Sequence, residues 1–230
     1  FDEVKCGMGR SGRFCAFQYE DVVPDVVTMA KALGGSKRAI GVMVSSQALF
    51  DKAYGSKKDA TLHSCSFGGL GESCAVAIET LNVLKDEKLI ERAEEVGLYF
   101  EERLNALQQK HPKTLLEVRG RGLFRAARFN FGEQLIGKVL DTENSNLFKT
   151  YQSVLISAMV RELYDTHGVI AHFQPGAVDV MHFMPPLVVD KADIDVLING
   201  IDDILTKGIA DATIQFVKKN IKRVFGGANA

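Results

Sequence analysis

The sequence has no apolar run long enough to cross a membrane, because charges interrupt every hydrophobic stretch well before about 18 residues. It also has no excess of either charge, since 28 Lys and Arg stand against 29 Asp and Glu. This balance gives no general electrostatic reason to expect a nucleic-acid or membrane partner. No internal repeat or low-complexity segment is visible. With 46% hydrophobic and 25% charged residues, the 230-residue chain is predicted to form a packed globular core.

Paired cysteines and metal-ligand spacings are missing as well. The four cysteines contain no CxxC pair, which predicts reduced thiols in a cytoplasmic protein rather than a disulfide framework. The five histidines lack the spacing of a closed zinc site, so we expect no bound metal. The basic segment 217–225 is interpreted as a solvated helix face. The chain opens on Phe1 without a visible signal peptide, and this start predicts a fragment or a processed product.

The first half of the chain alternates strand and helix patterns. Short apolar, β-branched runs predict one buried strand within residues 21–30 and a second buried strand within 39–46, and a helix that begins at a serine follows over 46–54. One or two long helices are predicted from about residue 73 to 109, ending before a proline segment at 111–113. The predicted core face of these helices carries Leu89, Ala93, Val96, Phe100 and Leu104.

The second half of the chain has shorter and more mixed elements. Residues 115–131 alternate apolar and basic side chains around two glycines, which predicts two strands joined by a tight turn. A helix closed by a glycine is predicted over 153–168. Strands are predicted within 169–173 and 178–187, and a final amphipathic helix over 189–209. The two halves therefore predict an α/β unit followed by a smaller α+β unit.

Three features of the first half suit a bound anionic cofactor. Asp2 stands at a predicted strand end, and Lys31 stands at the next predicted strand end, 29 residues later (31 − 2). Residues 63–69, HSCSFGG, place hydroxyls and glycines before a long helix, whose first N–H groups can bind an anion. A carboxylate, a lysine and a phosphate cradle are the groups that pyridoxal phosphate requires. Each feature alone also has an ordinary explanation, as a solvated charge or a helix cap.

Five motifs resemble landmarks of the class III (ω-type) aminotransferases, in the order of that family. DEVKCGMGRSGRF (2–14) resembles the DEVxxGxGRTG stretch, and PDVVTMAKALGG (24–35) resembles the segment around the catalytic lysine. HSCSFGG (63–69) is similar to the H-x-x-T-FGG segment. VRGRGLF (118–124) and MPPL (184–187) are similar to two further landmarks. The resemblance covers the C-terminal half of the family only.

The resemblance implies a fold, a reaction and a partner. Residues 1–108 would form the C-terminal part of the large, pyridoxal-phosphate-binding domain of a fold type I transferase, and residues 109–230 the small C-terminal α+β domain. The implied reaction moves an amino group from an amine or amino-acid donor to a keto acid or aldehyde, in a homodimer with shared active sites. Two alternatives stay open. One is another pyridoxal-phosphate reaction on the same fold, by a decarboxylase or an aminomutase, and the other is a catalytically inactive, truncated dimerisation module.

The resemblance also implies individual roles for residues of the first half. Lys31 would form the Schiff base and carry the proton, and Asp2 would bind the pyridine nitrogen, with Val4 against the ring face. Lys5 stands where many members have a Gln beside the phenolic oxygen of the cofactor. Ser66 stands where the family usually has the Thr that binds the cofactor phosphate from the neighbouring subunit.

The substrate side departs from the family pattern at His182. Many members have an Arg in R-x-x-PPL that binds a substrate carboxylate through two parallel hydrogen bonds, which an imidazole cannot supply. We therefore predict an amine, a diamine or an unusual amino donor in place of a plain α-amino acid. Arg125 and Arg128 are interpreted as surface charges on an edge strand, with an anion contact as the alternative.

Overall fold

The computed structural model describes residues 1–131, 146–174, 176–214 and 216. The chain divides into two compact units, Phe1–Glu95 and Val96–Ala230. The functional division predicted between residues 108 and 109 stays a prediction. The basic segment 217–225 lies outside the described residues. Within them, no helix combines the length and apolar character that a membrane span needs.

The first unit contains two short strands and a third chain segment beside them. Strand β1 (Val26–Met29) pairs in antiparallel register with β2 (Val42–Ser45), so both predicted strands are confirmed. The start of the chain runs parallel to β1, because Asp2 and Thr28 form a bridge and the Glu3 N–H donates to the Thr28 carbonyl at 2.9 Å. The predicted burial of both strands is wrong, since every residue of β1 and β2 is half-buried or exposed.

The predicted helices of the first half are confirmed. Ser46 caps the start of α1 (Gln47–Tyr54), and its hydroxyl accepts the Leu49 N–H at 3.4 Å. The long helical stretch forms two helices, α2 (Gly71–Asp86) and α3 (Leu89–Lys110), and α3 ends just before Pro112. The five residues predicted as the core face, Leu89, Ala93, Val96, Phe100 and Leu104, are all buried.

The second unit is built on a four-stranded antiparallel sheet in the order β3–β4–β6–β5. Its strands are β3 (Leu115–Arg121), β4 (Phe124–Phe129), β5 (His172–Gln174) and β6 (Ala177–Phe183). The turn between β3 and β4 contains Gly122 with a φ of 52°, a conformation that glycine adopts readily. The strand–turn–strand pattern predicted for residues 115–131 is therefore confirmed.

Two further helices belong to the second unit. Helix α4 (Asn146–His167) begins seven residues before its predicted start (153 − 146) and is closed by Gly168, which has a φ of 68°. Helix α5 (Lys191–Lys207) begins with a capping box, in which Asp190 accepts the Asp193 N–H at 2.9 Å and Asp193 accepts the Asp190 N–H at 3.3 Å. Both predicted helices are confirmed.

Arg125 on β4 is buried in the second unit, with an exposed fraction of 2%. Its guanidinium donates to the carbonyls of Gly120, Gly122 and Gly97 at 2.8, 3.0 and 3.0 Å. It also donates to Glu101 Oε2 at 3.1 Å. These acceptors occupy the guanidinium, so the predictions of a surface charge and of an anion contact are both wrong for Arg125.

A close approach of α3 to the β3–β4 turn makes this arrangement possible. A Cβ atom on Gly97 would lie only 2.5 Å from the Gly122 Cα, so no larger residue fits there without a backbone shift. Arg128 differs from Arg125, because it is exposed and pairs with Asp179 at 2.8 Å. Its interpretation as a surface charge is confirmed, but β4 is an inner strand of the sheet and not an edge strand.

Asp202 on α5 forms a pH-dependent link to the end of α3. Its carboxylate accepts from Lys110 Nζ at 2.6 Å and lies 2.7 Å from His111 Nε2. Burial acts to raise the pKa of the Asp202 carboxyl, but the hydrogen bonds from Lys110 and His111 outweigh burial and lower that pKa. A lowered pKa in the folded state stabilises the protein above the ordinary Asp value, and this contribution is lost as the pH falls through the folded value.

We therefore expect Asp202→Asn to lower the free energy of unfolding at pH 7 by about 1 kcal/mol. The difference from the unmodified protein should be smaller at about pH 2 than at pH 7, because the carboxylate gains protons as the pH falls through its lowered folded-state pKa. Urea unfolding at the two pH values measures the effect. An equal effect at both pH values would contradict this role for the Asp202 charge.

Candidate active site at the strand ends

The candidate site lies at the edge of the first unit where two parallel segments end. Asp2 pairs with Thr28 on β1, so residues that follow both segments emerge at the same edge. Asp2 Oδ1 accepts the Val4 N–H at 2.9 Å, which holds the carboxylate beside the first residues after the strand end. Lys31 follows β1 after one intervening residue. Its φ of 50° lies in the left-handed region, a strained conformation for a lysine that is typical of functional sites.

Several charged side chains at this edge affect the pKa of the Cys6 thiol. Burial raises the pKa of the Cys6 thiol, the carboxylates of Glu3 and Asp2 raise it further, and the ammonium groups of Lys5 and Lys31 oppose them. Coulombic effects of this kind decline with distance and are screened by water and salt. The sequence-predicted residues Asp2, Lys5 and Lys31 therefore belong to one charged neighbourhood.

The turn that follows Lys31 is fixed against α2. A 3₁₀ turn spans Lys31–Gly34, and Gly35 ends it with a φ of 56°. A Cβ atom on Gly35 would lie 2.7 Å from Thr80 Oγ1 on α2. Arg38 also forms an ion pair with Glu72 in the first turn of α2, with 2.7 Å between Arg38 Nε and Glu72 Oε1. These contacts connect the backbone of the lysine turn to the helix that follows Ser66.

Ser66 is exposed and lies in the segment 63–69, just before α2. The capping residue of α2 is Leu70, which has no side-chain group that could satisfy the first helical N–H groups. This confirms the predicted placement of hydroxyls and glycines before a long helix. His63 Nδ1 lies 3.1 Å from Tyr54 Oη, which connects the start of the segment to α1.

His182 belongs to the second unit, where it lies on β6 directly opposite His172 on β5. Its ring meets the Phe124 ring edge-on, with 6.4 Å between centroids. Both histidines line a cavity of about 530 Å³, together with Met184 and Pro185 from the loop after β6. Among the described residues, no group of three or more His, Cys, Asp or Glu side chains is arranged to hold a metal ion.

Glu3 is a residue of the site region that the sequence interpretation missed. Its exposed fraction is 3%, and its two carboxylate oxygens accept the backbone N–H groups of Ala16 and Phe17, each at 3.0 Å. Adjacent residues of a strand point to opposite faces, so an outward Asp2 requires an inward Glu3. That alternation is the signal from which the burial of Glu3 could have been predicted.

The strand-end lysine and aspartate, with the helix start after Ser66, agree with the family whose model matches most of the sequence. Residues 1–205 match the family model described as Aminotransferase class-III, and the chain belongs to this family. Class III aminotransferases are pyridoxal-phosphate-dependent enzymes. The predicted family and the predicted α/β fold class, part of a fold type I transferase, are confirmed.

Individual relatives show how much of such a protein the chain represents. The acetylornithine aminotransferase of Methanocaldococcus jannaschii is 34% identical over 212 residues, which cover 90% of this chain and 44% of the relative. The ornithine aminotransferase of Macrococcus caseolyticus is 32% identical over 206 residues, with coverages of 90% and 43%. A solved ornithine aminotransferase from Toxoplasma gondii, described as having partial occupancy of PLP at its active site, has a TM-score of 0.69 at 28% identity. That structural match covers 88% of this chain and 41% of the Toxoplasma chain, so the chain spans less than half the length of these relatives.

Proposed function

We propose that the protein is a pyridoxal-phosphate-dependent aminotransferase that moves an amino group from an amine or amino-acid donor to a keto acid or aldehyde. The observation that carries the proposal is the common strand edge at which Asp2 and Lys31 emerge. Family membership supports the reaction class. Neither alternative, another pyridoxal-phosphate reaction or an inactive dimerisation module, is favoured by a particular contact of the described residues.

The residues at this edge fit the cofactor. Pyridoxal phosphate supplies an aldehyde that reacts with a primary amine and a protonated ring that delocalises electrons from the substrate carbon. Lys31 provides an exposed amine at the strand end, where it can bind the aldehyde and hold or deliver a proton at Nζ. Asp2 uses Oδ1 for the Val4 N–H, which leaves Oδ2 to accept a hydrogen bond from the ring nitrogen.

Three further residues complete the proposed cofactor site. Val4 follows Asp2 and is half-buried, which suits contact with the ring face, and Lys5 is proposed to lie near the phenolic oxygen. Ser66 is proposed to bind the phosphate of the neighbouring protomer, because its segment is exposed and precedes uncapped helical N–H groups. This role requires a homodimer with shared sites. A cytoplasmic location is part of the proposal and is supported by four free thiols.

Absorption spectroscopy and peptide mapping test the proposal directly. The purified protein mixed with pyridoxal phosphate should absorb in the visible range at about 400 nm, and borohydride should fix the pyridoxyl group to Lys31. An inactive dimerisation module predicts no such band. A decarboxylase or an aminomutase predicts the band without net amino transfer from a donor to a keto acid, so product analysis separates these reactions.

The donor preference follows from His182 and has its own test. We expect the protein to favour amines or diamines over α-amino acids, because the imidazole cannot form the two parallel hydrogen bonds of an Arg with a carboxylate. His182→Arg should raise kcat/KM for α-amino acids, relative to amines, by roughly 10- to 100-fold, the equivalent of one or two charge-assisted hydrogen bonds. Donor panels measured with both proteins provide the comparison.

His182→Lys is the matched control, because it adds a positive charge without the planar fork of a guanidinium. It should raise kcat/KM for α-amino acids less than His182→Arg does. A clear preference of the unmodified protein for α-amino acids would contradict the role assigned to His182.

A further inference from the structure

We propose that Glu3 is a positioning residue, whose buried carboxylate fixes the direction in which Asp2 points at the strand end. The inference rests on the proposed function, because the orientation of Asp2 matters for activity only if Asp2 binds the cofactor ring. It goes beyond that function by assigning the orientation of Asp2 to a side chain on the opposite face of the segment. Glu3 itself acts only through Asp2 and has no contact with the cofactor in this proposal.

Each polar group of Glu3, in its backbone and in its side chain, forms a hydrogen bond. Its N–H donates to Thr28 on β1 at 2.9 Å, and its carbonyl accepts the Gly7 N–H at 2.9 Å. Its carboxylate oxygens accept the N–H groups of Ala16 and Phe17 at the start of a 3₁₀ turn. A side chain with two acceptor oxygens suits two converging N–H donors, and each of these donors would be costly to bury alone.

The anchoring of Glu3 determines the side on which Asp2 lies. Glu3 and Asp2 are consecutive in an extended segment, so their side chains leave on opposite faces. When Glu3 is held inward by Ala16 and Phe17, Asp2 is directed outward, where its carboxylate meets the Val4 N–H. Rotation of the segment would break four hydrogen bonds of the Glu3 side chain and backbone, whereas the Asp2 side chain makes one, to the Val4 N–H.

Space around Glu3 leaves little freedom for a different arrangement. A Cβ atom on Gly7 would lie 2.8 Å from the Glu3 carbonyl oxygen and 3.2 Å from the Glu3 Cβ. The Glu3 carboxylate also affects the thiol of Cys15. Burial is the larger cause and the negative charge of Glu3 the smaller one, and together they raise the pKa of Cys15 to about 11. Glu3 therefore contributes both a close-packed backbone and a charge to this part of the first unit.

Glu3→Gln tests the positioning role, because it keeps the shape of the side chain but replaces one acceptor oxygen with an NH₂ donor. NMR hydrogen exchange without cofactor is the first readout. We expect faster exchange at Ala16 and Phe17, because a Gln side chain has only one acceptor oxygen for these two N–H donors. We also expect roughly tenfold faster exchange at Val4, which bonds to Asp2 and not to Glu3. Faster exchange at Ala16 and Phe17 with an unchanged Val4 would overturn the proposal, because Glu3 would then hold only the 3₁₀ turn.

Cofactor affinity provides the second readout and separates this inference from the proposed function. We expect Glu3→Gln to weaken pyridoxal phosphate binding roughly tenfold, while Glu87→Gln, an exposed change on the same unit, leaves it unchanged. If the unmodified protein binds no pyridoxal phosphate, the proposed function fails and the Val4 exchange rate still decides the role of Glu3. If Glu3→Gln does not fold, Glu3→Asp retains the charge on a shorter side chain, and its Val4 exchange, expected about threefold faster, makes the same test.

Discussion

Lys31→Ala is expected to abolish the visible absorption with pyridoxal phosphate and to lower amino transfer by roughly 10³-fold or more. The substitution removes the primary amine that binds the aldehyde and the group that carries the proton at the substrate carbon. Alanine carries a Cβ as lysine does, so the substitution adds no new steric penalty at the φ of 50°. The 3₁₀ turn after β1 is therefore expected to persist. Absorption spectra, and donor turnover followed by chromatography of the products, measure the two effects.

Lys37→Ala is the matched control for this prediction. Lys37 is also exposed, follows β1 in the same segment and has the same side chain, but the family motif assigns it no role. It should leave the absorption and the turnover unchanged. If Lys31→Ala keeps the visible band, or if Lys37→Ala removes it, the assignment of the reactive amine to Lys31 is wrong.

Arg125→Met is expected to have the largest effect on stability, lowering the free energy of unfolding by about 3–5 kcal/mol. Methionine fills part of the space but supplies no donor to the three carbonyls that the guanidinium now satisfies. Buried carbonyls that lose their donor are costly, and the β3–β4 turn and α3 would both lose a direct connection. The chain has no Trp, so far-UV circular dichroism in increasing denaturant is the suitable measurement.

The neighbouring Arg128 offers the control. Arg128→Met makes the same chemical change on the same strand, but it removes an exposed ion pair with Asp179, which is worth at most about 1 kcal/mol. Similar losses for the two variants would mean that the buried hydrogen bonds of Arg125 contribute little beyond its surface charge.

Elements with a strong local pattern could be predicted from the sequence. The core face of α3 followed from apolar residues at helical spacing, and the β3–β4 turn followed from glycines within an alternating run. The predicted strand ends place Asp2 and Lys31 at one edge, because neighbouring parallel segments end together. The core face of α3 and the β3–β4 turn depend on residues that are close together in the chain.

Features set by distant contacts could not be predicted. The burial of Arg125 depends on the approach of Gly97 to Gly122, two glycines 25 residues apart (122 − 97) whose packing has no local signature. The half-burial of β1 depends on what covers it, which a strand pattern does not specify. The roles of Ser66 and His182 stay predictions, because they concern a cofactor and a substrate rather than a fold.

The buried thiol of Cys15 has a practical consequence for labelling chemistry. With a pKa of about 11, this sulfur is almost wholly protonated at neutral pH and reacts slowly with maleimides, while Cys65 stands exposed beside Ser66. Cys6 and Cys74 are half-buried, so a fluorophore attached under mild conditions would accumulate mainly at the exposed Cys65. The protein carries a natural attachment point for an optical reporter next to the residue proposed to bind phosphate.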